Sequence, residues 1–267
     1  MRLGRILSAI MLVFVISVSG CAGQQKVENG GGSTANKQLL VSAAISLKDA
    51  LTEIKQEFES GHPGVKVNYN FGASGTLQLQ IEQGAPVDVF ASAGASQMDS
   101  LQKKGIVLSD TRRDFAGNTA VLVAPKSASL PVSSFSDLTK AEVKRIAIGN
   151  PATVPAGDYA KQILENMGVW EGIKSKLVMG ENVRQVLTYV EQGNVDAGIV
   201  YSTDASTSHD VTVAATAPEG SSKPIVYPIA VVGASKQPKE AKEFVEFVSG
   251  PKGQAALAKY GFLVGKK

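Results

Sequence analysis

Apolar runs with the character of β-strands alternate with 3.6-residue helical patterns along most of the chain. LLVSAAI (39–45) leads into a helical pattern over 47–58, VKVNYNF (65–71) into one over 76–83, and VDVFASA (87–93) into one over 95–104. Strand then helix, three times over, predicts a mostly parallel sheet covered by helices. A second series follows: TAVLVAP (119–125), RIAIGNP (145–151), a helix over 157–167, SKLVMG (175–180), a helix over 183–192, and AGIVY (197–201). Val183, Val186, Leu187 and Val190 stand at i, i+3, i+4 and i+7, which is one buried stripe. KPIVYPIAVV (223–232) reads as a further strand, and KEAKEFVEFVSG and PKGQAALAKYGF as closing helices. Two α/β lobes are the economical reading of this α/β pattern.

The first 20 residues do not belong to it. Arg2 and Arg5 precede the apolar run ILSAIMLVFVISV, and VSGC ends at Cys21. This reads as an export signal; a membrane-spanning anchor wants about 20 apolar residues, more than this run supplies. VSGC resembles a bacterial lipobox, and the resemblance implies a lipid on Cys21, loss of residues 1–20, and a chain held extracytoplasmically at the cell membrane. Cys21 is the only cysteine of the 267 residues, so no intrachain disulfide staples the fold. Residues 21–37 are polar and Gly-rich, a flexible tether, and the folded part is expected from Gln38. Net charge is +3, with no Lys/Arg run interleaved with aromatics, so a nucleic-acid partner is set aside.

In open α/β sheets ligands lie beyond the carboxyl ends of strands. The loops there read AAISLKD, FGASGTL, NPATVPAGDY, GENVRQV and GIVYSTDA. Ser46 stands as an N-cap with Asp49 three residues on, a capping-box pair, and Ser74 as a cap of the helix over 76–83. Helix N-termini offer free N–H donors and partial positive charge, and small residues let the backbone approach a ligand. AAIS, FGASG and TVPAG hold no Lys, Arg or carboxylate. A site of neutral donors suits an anion fully ionised at neutral pH, such as sulfate, molybdate or tungstate, whereas hydrogen phosphate wants an acceptor for its proton.

Catalytic equipment is sparse. His62 and His209, the two histidines, sit in turns and neither adjoins a nucleophile-like turn, and GASG (72–75) lacks the second half of a G-x-S-x-G elbow. No His pair has metal-ligand spacing, and neither a G-x-x-x-x-G-K-[ST] loop nor a G-x-G-x-x-G turn is present. An exported serine hydrolase using Ser46 or Ser74 is the remote alternative; a binding protein without enzymatic activity, cation site or cofactor is the expectation.

AAISLKDA, FGASGTLQLQIEQGAPVDVFASA, GNTAVLVAP, GNPATVPAGDYAKQ, ENVRQVL, GIVYSTDA, YPIAVV and KYGF, in this order and spacing, resemble the molybdate-binding proteins of bacterial ABC transporters. The resemblance implies a two-lobed type II periplasmic-binding-protein fold, each lobe a mixed, mostly parallel sheet flanked by helices, with the ligand between lobes. It implies a first lobe of 38–117 and 225–267 and a second of 118–224. It places oxyanion contacts on the Ser46 and Ser74 hydroxyls, the Ala156 and Val183 amides and the Tyr201 hydroxyl, with Leu47 and Gly75 as additional amide donors. Molybdate or tungstate would be captured by a monomer, closing a hinge, and delivered to an ABC transporter permease; sulfate or another tetrahedral oxyanion is the alternative ligand.

Overall fold

The computed structural model describes residues 36–128 and 132–265. The leader, Cys21 and nearly all of the tether lie outside the described residues. The chain begins with β1 (Lys37–Ala44), α1 (Lys48–Gly61), β2 (Val65–Gly72), α2 (Ser74–Glu82), β3 (Val89–Ala91), α3 (Ala95–Lys103) and β4 (Arg113–Gly117). It continues with β5 (Ala120–Pro125), β6 (Ile146–Gly149), α4 (Pro155–Asn166), α5 (Trp170–Ile173), β7 (Leu177–Gly180), α6 (Val183–Glu191), β8 (Ala197–Tyr201), α7 (Ser202–Ala205) and β9 (Val211–Thr216). It closes with β10 (Val226–Val231), α8 (Pro238–Ser249) and α9 (Pro251–Lys259).

The strands form two five-stranded sheets, ordered β2-β1-β3-β10-β4 and β7-β6-β8-β5-β9. The chain passes from the first sheet to the second between β4 and β5, and returns between β9 and β10. Helix-linked β1, β2 and β3 pair in parallel, as do β6, β7 and β8. By contrast, β10 runs antiparallel to β3 and β4, and β5 antiparallel to β8 and β9. The sheets are mixed and mostly parallel as expected: four strands of each run one way, and only β10 in the first and β5 in the second oppose them, because these two enter their sheet from the other one rather than through a crossover helix. β4 and β9 have no counterpart in the sequence pattern: RDFAG is too polar, and VTVAAT is a largely uncovered edge.

The central strands are buried on both faces, with Leu39, Val41, Leu122, Val123, Ile146 and Ile148 fully enclosed. Each such side chain contributes about 1.5–3 kcal/mol relative to exposure. The stripe Val183, Val186, Leu187 and Val190 is buried, seating α6 on its sheet. α4 lies still closer to β6: a Cβ on Gly157 would collide with the Gly149 carbonyl and stand 3.0 Å from the Gly149 Cα. Two glycines thus set how deeply the N-terminal turn of α4 sits.

Candidate functional site

The carboxyl ends of β1, β2, β3, β6 and β8 converge between the sheets, and the residues that follow them build a small cavity. Ser46 is reached through a single 3-10 turn, Ile45–Leu47, after β1. That turn carries the helix start past Ser46: α1 has Leu47 at its N-cap position and no side-chain cap bond. Ser46 is therefore not the expected cap, and its buried hydroxyl shares a hydrogen bond with the Tyr227 hydroxyl at 3.1 Å. Asp49 completes no capping box either; it accepts from Arg184 Nη2 at 2.7 Å.

Ser74 is also not a cap, since α2 starts at Ser74 itself with Ala73 as N-cap. Its Oγ accepts the Ala93 N–H at 2.9 Å. The Gly75 N–H donates to the Thr153 carbonyl at 2.9 Å, a bond between the two halves of the molecule. This contradicts the expectation that the Gly75 amide is available to a ligand in this arrangement. Leu47 is fully buried, and neither Leu47 nor Gly75 lines the cavity.

Ala156 is the second residue of α4, after Pro155, and Val183 is the first of α6, after the N-cap Asn182. First-turn N–H groups have no carbonyl four residues back within their helix. Among the described residues, neither amide donates to another protein group. Tyr201 ends β8, is buried, and donates its phenol proton to the Ala93 carbonyl at 3.2 Å. Burial holds that phenol well above its ordinary pKa, so it stays a protonated donor. Ser46, Ser74, Ala156, Val183 and Tyr201 all line one cavity of ≈ 10 Å³. No lining side chain is charged.

Charge lies just behind this lining. Arg184 follows Val183 on α6; its Nε pairs with the buried Asp204 Oδ1, and its Nη1 donates to Thr207 Oγ1 at 3.1 Å. With the bond to Asp49 on α1, this guanidinium ties the two halves together beside the cavity. Burial, only partly offset by Arg184, pushes the Asp204 carboxyl up to about 6, and its Oδ2 has no hydrogen-bond partner among the described residues. The protonated form therefore contributes stability that is fully present below the unfolded value of about 4 and lost as pH rises through about 6. Asp204→Asn removes this dependence. In paired thermal melts, the Tm of Asp204→Asn relative to wild type should rise between about pH 4.5 and 7.5; a pH-independent difference would contradict the assignment.

Sequence reasoning missed Tyr227, Asn118 and Asp204. Each lies in a matching segment, but only tertiary pairing brings it beside the cavity. Arg184 carried a signal, a cation next to a donor amide, without indicating its carboxylate partners.

The model of the bacterial extracellular solute-binding protein family matches residues 39–263. A Bacillus subtilis chain, YvgL, whose name provisionally assigns it as an ABC transporter substrate-binding lipoprotein, is 42% identical over 254 residues, 95% of each chain. The molybdate-binding protein ModA of Escherichia coli is 38% identical over 231 residues, covering 85% of this chain and 89% of its own. A solved structure from Clostridium difficile, the substrate-binding domain of a provisionally assigned molybdenum ABC transporter, is 41% identical with a TM-score of 0.67, covering 86% of this chain and 99% of its own. A match over nearly the whole described chain, on a two-sheet fold with two crossings, makes this protein a member of the bacterial extracellular solute-binding proteins, in the same family as the E. coli molybdate-binding protein.

Proposed function

We propose that this protein captures molybdate, and tungstate with it, in the cavity between its sheets and delivers the anion to an ABC transporter permease. The observation that supports this is that Ser46, Ser74, Ala156, Val183 and Tyr201, drawn from both halves of the molecule, line one cavity with no charged side chain. Two helix N-termini aim partial positive charge at it. Names of relatives that describe molybdate binding or molybdenum transport support the same reading.

A tetrahedral dianion offers acceptors on four oxygens and needs donors from several directions. Ser46 and Ser74 supply them from one side, Ala156, Val183 and Tyr201 from the other. Each charge-assisted hydrogen bond contributes about 1.5–3 kcal/mol. A cavity of ≈ 10 Å³ is the room of about one water, so an oxyanion enters only as the halves part and the Tyr201 proton leaves Ala93 for the ligand. Closure around the anion completes the donor shell, which is how differential affinity would drive a hinge. The lobes of this reading are 38–117 with 225–267, and 118–224. The chain would act as a monomer without cofactor or enzymatic activity, held at the membrane by a lipid on Cys21.

Ser74→Ala tests the reading. It removes one hydroxyl donor, and molybdate affinity should fall about 10- to 100-fold in an equilibrium titration. Unchanged affinity would exclude Ser74 from the site, and ester or phosphoester turnover lost with that hydroxyl would point to a hydrolase.

A further inference from the structure

A serine hydroxyl can donate or accept, so a donor-only cavity requires something to decide which way the Ser46 proton points. The groups behind Ser46 supply an answer. Asn118, buried at the passage from β4 to β5, accepts the Thr119 N–H at Oδ1, 2.9 Å away. A backbone N–H can only donate, so the amide oxygen is on that side and the NH₂ group faces the other way. The two Nδ2 protons go to Thr203 Oγ1 at 2.8 Å and Tyr227 Oη at 3.2 Å. Tyr227 Oη, accepting there, has one proton left; its remaining hydrogen bond of good geometry is to Ser46 Oγ at 3.1 Å, and the neighbouring Tyr201 hydroxyl sends its own proton to the Ala93 carbonyl. Tyr227 is fully buried, and burial holds its phenol far from ionisation, so the proton remains to be donated.

We propose that Asn118 and Tyr227 are positioning residues that commit the Ser46 hydroxyl to donate into the cavity. The polarity runs from Asn118 Nδ2–H to Tyr227 Oη, from Tyr227 Oη–H to Ser46 Oγ, and from Ser46 Oγ–H to the cavity. Ser74 receives the same instruction directly from the backbone, through the Ala93 N–H. The relay rests on the oxyanion reading of the cavity and gives it a specificity device. A dianion without protons meets hydroxyls that already point their hydrogens inward. An anion carrying a proton would need one of them to turn, and Ser46 cannot turn without leaving the Tyr227 proton or the Asn118 proton unpaired in the interior.

Two measurements test this, one of them independent of any ligand. Neutron diffraction on crystals of the deuterated protein should place the Tyr227 deuteron on the line to Ser46 Oγ and the Ser46 deuteron toward the cavity. A Ser46 deuteron directed at Tyr227 Oη overturns the relay. Titration of molybdate into wild type, Tyr227→Phe, Ser46→Ala and the double variant forms the second arm. Tyr227→Phe keeps the buried ring and should weaken binding roughly 10-fold in the wild-type background. In the Ser46→Ala background the same change should cost no more than about twofold. Equal losses in both backgrounds would mean that Tyr227 acts on packing alone and would overturn the relay. A wild type that binds no molybdate would instead refute the proposed ligand, with the neutron map still deciding the polarity of Ser46.

Discussion

Val183→Pro should weaken molybdate binding at least about 100-fold while leaving the fold in place. Val183 is the first residue of α6, the helical position where proline is most at home, because its φ is already right and its N–H has no helical partner. The preceding Asn182 has φ −160° and ψ 169°, the extended conformation that a residue before proline adopts. Val183 lines the cavity, so proline deletes the amide that the proposed function assigns to the oxyanion and puts a ring methylene in its place. Loss of a charge-assisted bond alone corresponds to about 10- to 150-fold, and the methylene obstructs the oxyanion further. Val183→Ala is the counterpart: it keeps the amide, so affinity should stay within a few-fold, while the lost buried methyls lower stability by about 1–3 kcal/mol. Circular dichroism and titration on both variants separate the roles. Wild-type affinity in Val183→Pro, or a greater loss of affinity in Val183→Ala, would remove the Val183 amide from the donor shell.

Gly157→Ala should have the largest effect on stability. The added Cβ meets the backbone of Gly149, where no flexible side chain can move aside. α4 must lift from β6, an overpacking cost of about 1–3 kcal/mol or more, and a Tm drop of several degrees for a chain of this size. Because Ala156 precedes Gly157, the same shift carries a donor amide out of place and binding should weaken together with stability. Gly61→Ala is the control: a Cβ there meets nothing within 4 Å, so stability should hold or improve. Urea unfolding of the three proteins reads the contrast, and a Gly157→Ala as stable as wild type would show that α4 has room to spare.

What the sequence makes legible follows from what is local. Strand-then-helix order and the Val183, Val186, Leu187, Val190 stripe are periodicities of the chain itself, and they recur in the structure. So do the loops that meet at the cavity, because strand ends carry short, small-residue connections. The antiparallel insertion of β5 and β10 is not local; it depends on the chain passing between sheets, and nothing in TAVLVAP or IVYPIAVV marks direction. Ser46 illustrates the same limit in one residue. Its spacing to Asp49 fits a capping box, yet a 3-10 turn too short to leave a periodic signal moves the helix start and turns the hydroxyl toward Tyr227, 181 residues away. Gly75 carries another such reversal, since its amide meets the Thr153 carbonyl only once both halves are folded.

A cavity of neutral donors should take a fully ionised tetrahedral dianion in preference to one that carries a proton. Calorimetric titration of the mature protein with molybdate, tungstate, sulfate and phosphate near neutral pH tests it most directly. Strong, similar heats and affinities are expected for molybdate and tungstate, much weaker binding of the smaller sulfate, and the least for phosphate, which carries a proton that a donor-only cavity cannot accept. Sulfate or phosphate binding as tightly as molybdate, or no heat with any of the four, would contradict it.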